Sequence, residues 1–295
     1  VQLTILRPYF SENQVGSSKF FGRIEGLKAL NHLNVQTPIS FGETDKQIWF
    51  ATPHLSWKRL SAVIGAGAMN VELMQTILHQ LATSIDFLDS RGIQHGNLTP
   101  ENILVSDSGE IKISRFGITE LVNQLHPLMR TTIREPDPHY SAPELLQHQT
   151  FTHSSDLYSI GVLVYEMLTG QLPFPSLGVP SVLAEQMEGK FIFPSHLMPN
   201  LGTGIDDVIS KILSFDSENR FRVAGEFEEA MGHTLTGITP DFVFSTTWKE
   251  KSEKEERQDR KIIEEFNGSE DEMNFCPSCG QGNDPSFRYC KFCWN

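Results

Sequence analysis

The first 275 residues contain no cysteine, and all four cysteines of the chain fall between positions 276 and 293. A core stapled by disulfides is therefore excluded for everything before them. No run of 18 or more apolar residues occurs, so no segment reads as a membrane-spanning helix. Basic residues are scarce, 24 Lys and Arg against 37 Asp and Glu for a net charge of −13. That sign argues against a general electrostatic grip on nucleic acid or acidic lipid. The chain also lacks an initial Met and a charged-then-apolar leader, and so reads as a piece of something longer. No internal repeat is visible. What remains is an ordinary globular balance, 39% hydrophobic and 21% charged over 295 residues, enough for one large domain and an appendage.

Short apolar and β-branched runs, "VQLTIL" and "QIWFAT", flank a helical stretch near "FFGRIEGLKALNHL", which predicts a small strand-rich lobe over residues 1–55. From Asn70 onward Met74, Ile77, Leu78, Leu81, Ile85 and Leu88 recur every three or four residues, the stripe of an amphipathic helix ending at Ser90-Arg91-Gly92. "NILV" and "IKI" around "SDSGE" predict a hairpin. "SSDLYSIGVLVYEMLTG" leaves little polar face and predicts a buried central helix, with Ser155 or Asp156 as its cap and Gly170 at its close. Further helices are expected in "IDDVISKIL" and "AGEFEEAMG", completing a mainly helical lobe over residues 56–235. Residues 236–274 include a stretch of six basic and ten acidic residues, "KEKSEKEERQDRKIIEEFNGSEDEM", which reads as a charged linker before a last module at 275–295.

Five landmarks stand in one order: "HGNLTPENILV" at 95–105, Arg115-Phe116-Gly117, Ala142-Pro143-Glu144, Asp156 with Gly161, and Arg220. Together they resemble a eukaryotic-type Ser/Thr protein kinase over roughly residues 1–232, matching its catalytic loop, D-F-G and A-P-E motifs. The resemblance implies an α+β, bilobal fold, with an Arg220–Glu144 ion pair and Asp156 at the start of the buried helix.

It also says which chemical roles are filled. In the family one Asp accepts the hydroxyl proton, a second Asp and an Asn hold two Mg²⁺, and a strand Lys paired to a helix Glu orients the phosphates. Here the proton acceptor's position is Asn97, an amide that cannot act as a base. Asn102 is the one metal ligand kept, and Arg115 replaces the D-F-G carboxylate with a permanent positive charge. At about 4 Å and an effective dielectric near 20, that charge repels a divalent ion by about 8 kcal/mol. Thr99 stands where the catalytic-loop lysine belongs, and Asp137 where a threonine supports the substrate platform. Asp137 is read as a turn residue between Pro136 and Pro138, with a displaced acid as the rival reading. In the small lobe the match puts Gln2 above the base, Thr4 at the lysine and Arg23 at the helix glutamate, with Glu25 pointing elsewhere. Gln2, Thr4, Arg23 and Leu104 would form a vestigial nucleotide pocket, in which ATP with Mg²⁺ is not expected.

Cys276-x₂-Cys279-x₁₀-Cys290-x₂-Cys293 has the spacing of a closed tetrahedral thiolate site, in which Gly280 lets the first turn fold back. It resembles a short zinc ribbon, so one structural Zn²⁺ is expected, with paired disulfides or a redox C-x-x-C as rivals. The function expected is a catalytically inactive, pseudokinase-like scaffold in signalling. It would be cytoplasmic and would bind protein partners such as an active kinase or another signalling protein. The alternative is a Ser/Thr kinase with altered phosphotransfer.

Overall fold

A computed structural model describes residues 1–5, 14–45, 47–67, 69–115, 137–148, 151–238, 274–275 and 282–283. The chain divides into two compact units, Val1–Ser245 and Thr246–Asn295.

In the first unit, Gln2–Ile5 (β1) and Ser40–Thr44 (β2) both pair antiparallel with Gln47–Thr52 (β3), giving a small sheet of order β1-β3-β2. Alternation along β3 buries Ile48 and Phe50. Gln14–Lys28 (α1) answers with Phe20, Ile24 and Leu27, spaced four and three residues apart on one buried face. The rings of Phe20 and Phe50 meet at 6.3 Å, so helix and sheet share one apolar layer. The helix stops at Lys28, short of the "LNHL" that the sequence pattern had included. Asn34 and Gln36 instead bind the second lobe through backbone bonds to Ile113.

The second lobe begins with Lys58–Arg59 (β4), Leu60–Gly65 (α2) and Val71–Asp89 (α3). Asn70 caps α3 by accepting the Leu73 N–H at 2.8 Å, and all six of the apolar positions read from the sequence are buried. Ile103–Val105 (β5) and Ile111–Ile113 (β6) form the hairpin, with β4 alongside β5. Pro143–His148 (α4) precedes His153–Thr169 (α5), the buried central helix, in which 14 residues are buried. Fully burying a Leu or Ile side chain contributes roughly 1.5–3 kcal/mol, so α5 is the thermodynamic centre of the lobe. Its cap differs from the expectation. Thr152 accepts the Ser155 N–H at 3.1 Å, which moves Ser155 and Asp156 into the first turn and frees their side chains for other partners. Gly170 closes the helix at φ 70°, a conformation that costs glycine nothing. Gly161 is needed for another reason: a Cβ there would lie 2.7 Å from Ile212, in Gly204–Ile212 (α8).

Between α5 and α8 lie Val179–Glu188 (α6) and Pro194–Leu197 (α7), and Ala224–Thr234 (α9) follows. Asp86 of α3 accepts the first N–H groups of α9, from Ala224 at 2.8 Å and Gly225 at 3.0 Å. Among the described residues no helix is long and apolar enough to cross a membrane. In the second unit the described residues are Asn274–Phe275 (β7) and Gly282–Asn283 (β8), paired antiparallel.

Candidate functional site

The site is built where α5 meets the segment 95–102. Asp156 accepts the backbone N–H of His95 at 2.6 Å and of Gly96 at 2.9 Å, fixing that segment from below. His95 is fully buried; Nδ1 accepts the Asn97 N–H at 3.2 Å, so Nε2 carries the proton facing the Ser114 carbonyl at 3.1 Å. Burial pushes its pKa down to about 4, and the imidazole serves as a neutral spacer. Asn102, also buried, donates Nδ2–H to the Asn97 carbonyl at 2.8 Å and accepts the Ser114 N–H on its own carbonyl. One network therefore joins His95, Asn97, Asn102 and Ser114, and Arg115 follows directly.

Arg115 is exposed and holds φ at 65°, one of two described non-glycine residues in the left-handed region. Such backbone persists only where its surroundings impose it, at a cost of about 1–3 kcal/mol. Gly96, at φ 70°, has the Phe151 ring where a side chain would be: a Cβ would lie 2.5 Å from Phe151 Cδ1.

The remaining sequence-derived positions fall in several places. Thr99 is buried, and its carbonyl accepts the Asn102 N–H to close the turn Pro100–Asn102. Leu104 is half-buried on β5, opposite Lys112. In the small sheet Thr4 is half-buried opposite Phe50, and Gln2 is exposed opposite Thr52. Arg23 is half-buried on α1, whereas Glu25 is exposed, as helical spacing requires. Asp137 is exposed and occupied with its own turn, its Oδ1 accepting the His139 N–H at 3.1 Å and lying 2.7 Å from His139 Nδ1. Phe116 and Gly117 lie outside the described residues, as do Cys276, Cys279, Cys290 and Cys293.

The supporting contacts are strong. Arg220, its side chain wholly buried, binds Glu144 through two bonds of 2.8 and 2.9 Å. Burial works to raise the Glu144 pKa, yet the Arg220 hydrogen bonds and charge overcome it and hold the carboxyl below its usual value. Ser155 adds a third bond to Glu144 at 2.9 Å. One contact was not read from the sequence: Tyr140 donates to Glu166 at 2.7 Å, and burial pushes Glu166 up to about 7. The pairing is long-range, and only the acidic residue interrupting the otherwise apolar α5 signalled it.

A profile of the protein kinase domain matches residues 10–235. The chain belongs to the protein kinase family. Curated relatives include "Probable serine/threonine-protein kinase PknB" of Lactococcus lactis, 26% identical over 94% of this chain and 41% of its own length. CBL-interacting serine/threonine-protein kinase 8 of Arabidopsis thaliana is 31% identical over 55% of this chain and 35% of its own. The chain thus spans about two fifths or less of these relatives. Among solved structures, the PknI kinase domain of Mycobacterium tuberculosis superposes with a TM-score of 0.60 at 21% identity, covering 79% of this chain and 84% of that one. Rad53 1–466 in complex with AMP-PNP gives 0.62 at 24%, covering 77% and 56%. The fold is the two-lobed kinase fold, with β1–β3 and α1 in the sheet lobe and the remaining helices of the first unit in the other.

In the register of the sequence resemblance, the donors here do not fit two metals. The positions that would hold two Mg²⁺ carry one neutral amide, Asn102, and a guanidinium, Arg115, while Asn97 replaces the base.

Proposed function

We propose that this kinase domain does not transfer phosphate by the family's two-metal route and acts instead as a binding scaffold for protein partners in signalling. The observation that carries the reading is Arg115: a permanent cation sits in left-handed backbone one residue beyond Ser114, where the family places the carboxylate that holds magnesium. The well-bonded frame around it supports a role that needs shape more than chemistry. The second reading, Ser/Thr phosphotransfer by an altered mechanism, is favoured by the relatives, whose names are those of Ser/Thr protein kinases.

Incubating the purified chain with radiolabelled Mg-ATP and a generic protein substrate separates the two. The scaffold reading expects no label above a no-enzyme control; label that disappears in Asp137→Ala or Arg115→Ala establishes the second reading.

The C-terminal module is proposed as a zinc ribbon in a cytoplasmic, reducing setting, with Cys276, Cys279, Cys290 and Cys293 as thiolate ligands of one structural Zn²⁺. The pairing of Asn274 with Asn283 and of Phe275 with Gly282 flanks the first C-x-x-C in the sequence, which supports the reading. Elemental analysis should find one zinc per chain, lost in Cys290→Ser.

A further inference from the structure

We propose that the surface formed by His32, Leu33, Phe87, Arg91 and Lys112 docks an acidic segment of a protein partner that also presents an apolar side chain. The inference rests on the scaffold reading and names the surface and the partner chemistry that such a scaffold would use.

The fold brings these residues together from the loop after α1, the end of α3 and strand β6. The Arg91 guanidinium lies over the Phe87 ring, 3.6 Å from its centre, and the His32 ring stands 4.7 Å from the same ring. Lys112 on β6 donates to the Leu33 carbonyl, which places its ammonium beside them. Leu33 itself is 74% exposed, a large apolar side chain offered to solvent amid cations. Apolar surface joined to Arg and an aromatic ring is the make-up of protein contacts.

Charge decides what the contact takes. The chain carries 37 acidic against 24 basic residues, yet among the described residues neither Arg91 nor Lys112 forms an ion pair. Arg91 donates from Nη1 to the Phe87 carbonyl at 3.2 Å and to Ser90 Oγ at 3.0 Å, so among the described residues Nε and Nη2 stay open to a carboxylate. Burial lowers the His32 pKa, and the charges of Lys112 and Arg91 lower it further, so both cations reach one imidazole. This positive field is local. The net charge of −13 repels a long polyanion, so a short acidic segment suits these few cations better than nucleic acid or an anionic membrane does.

The surface is also held ready. His32 Nδ1 accepts the Asn34 N–H at 3.2 Å, and the buried Asn34 donates Nδ2–H to Gln80 Oε1 at 2.6 Å and to the Ile111 carbonyl at 3.1 Å. Its own carbonyl accepts the Ile113 N–H at 2.7 Å, which pins the loop to β6. A partner therefore meets groups already ordered by the fold.

The test is selection of a phage-displayed library of random peptides on the full chain, with the selected peptides then synthesised, labelled with fluorescein and titrated by anisotropy. The expected result is enrichment of sequences rich in Asp and Glu around a Leu, Ile or Phe, with binding that weakens as salt rises. Arg91→Glu with Lys112→Glu should weaken the titrated peptide about tenfold or more, the loss of charge-assisted contacts. Leu33→Asp probes the same surface through an exposed side chain, so it should weaken binding while melting near the parent temperature. No enrichment, enrichment of neutral or basic sequences, or an affinity equal to the parent's in Leu33→Asp or in the double variant would each overturn the proposal. Retention of poly(U) RNA or of phosphatidylserine vesicles, lost in the same variants, would assign the surface to another polyanion and overturn it too. Label transfer in the Mg-ATP assay would overturn the scaffold reading and leave the peptide result standing, so the two failures are distinguishable.

Discussion

Two sets of residues carry the likeness to the kinase family. One is the frame: Asp156 on the backbone of His95 and Gly96, Glu144 paired to the buried Arg220, Gly161 against Ile212. The other is the set of positions that the sequence resemblance aligns with the family's reacting groups: Asn97, Thr99, Asn102 and Arg115, with Thr4 and Arg23 in the sheet lobe. Every frame residue has a partner suited to its charge. By that resemblance Asn97, Arg115 and Arg23 stand where the family has carboxylates, Thr99 and Thr4 where it has lysines, and Asn102 is kept, while Arg115 holds left-handed backbone. Geometry and charge can therefore be separated within one site: the frame sets where atoms sit, and a handful of side chains decide whether metal and proton chemistry can follow.

The sharpest way to break that comparison is to attack the frame. Arg220→Ala leaves Glu144 partly buried without its cation, and removing one partner of such a pair costs about 3–5 kcal/mol. For a domain of this size the melting temperature should fall by roughly 10 °C, read by calorimetry or circular dichroism. A fall of only one or two degrees would show that the frame is less than the geometry says.

A second, smaller effect lies in pH. His95 folds with its pKa lowered from 6.5 to about 4, so the unfolded chain binds more protons, and its contribution to stability grows as pH rises from 4 to 6.5. Glu166 is raised from 4.5 to about 7, so the folded chain holds more protons, and its contribution is lost as pH rises from 4.5 to 7. Between pH 4.5 and 6.5 the two slopes oppose each other at up to about 1.4 kcal/mol per pH unit each. Urea melts of the parent should be nearly flat over this window. Glu166→Gln removes one slope and should reveal a rise of about 2–3 kcal/mol toward pH 6.5. A parent and variant of identical pH dependence would count against the proton held on Glu166, and a variant with no rise would count against the buried, neutral His95.

The smallest expected effect belongs to the reacting positions. Arg115→Asp with Asn97→Asp should change stability by less than about 1 kcal/mol, since Arg115 is exposed and Asn97 half-buried. It should also create a Mg²⁺-dependent thermal shift with ATP that the parent lacks. If the double variant unfolds, charge and frame are not separable after all.

Much of this was legible in the chain as written. The spacing of Met74, Ile77, Leu78, Leu81, Ile85 and Leu88 gave α3, and the almost unbroken apolar run from Leu157 to Leu168 gave a helix with no wet face, because burial periodicity is a local property. The side chains at 97 and 115 were equally plain, since residue identity alone says that an amide is no base and a guanidinium no metal ligand. Other features came only with the fold. Thr152 took the cap of α5 because Ser155 and Asp156 had long-range partners in Glu144, His95 and Gly96, and local propensity cannot weigh such competitors. The same holds for the ring of Phe151 over Gly96, the proton held on Glu166 by burial beside Tyr140, and the left-handed turn at Arg115. Each depends on residues distant in sequence meeting in space. The sequence by itself thus determined which side chains stand at the candidate site, and tertiary packing decided how firmly, and in what orientation, the described groups are held.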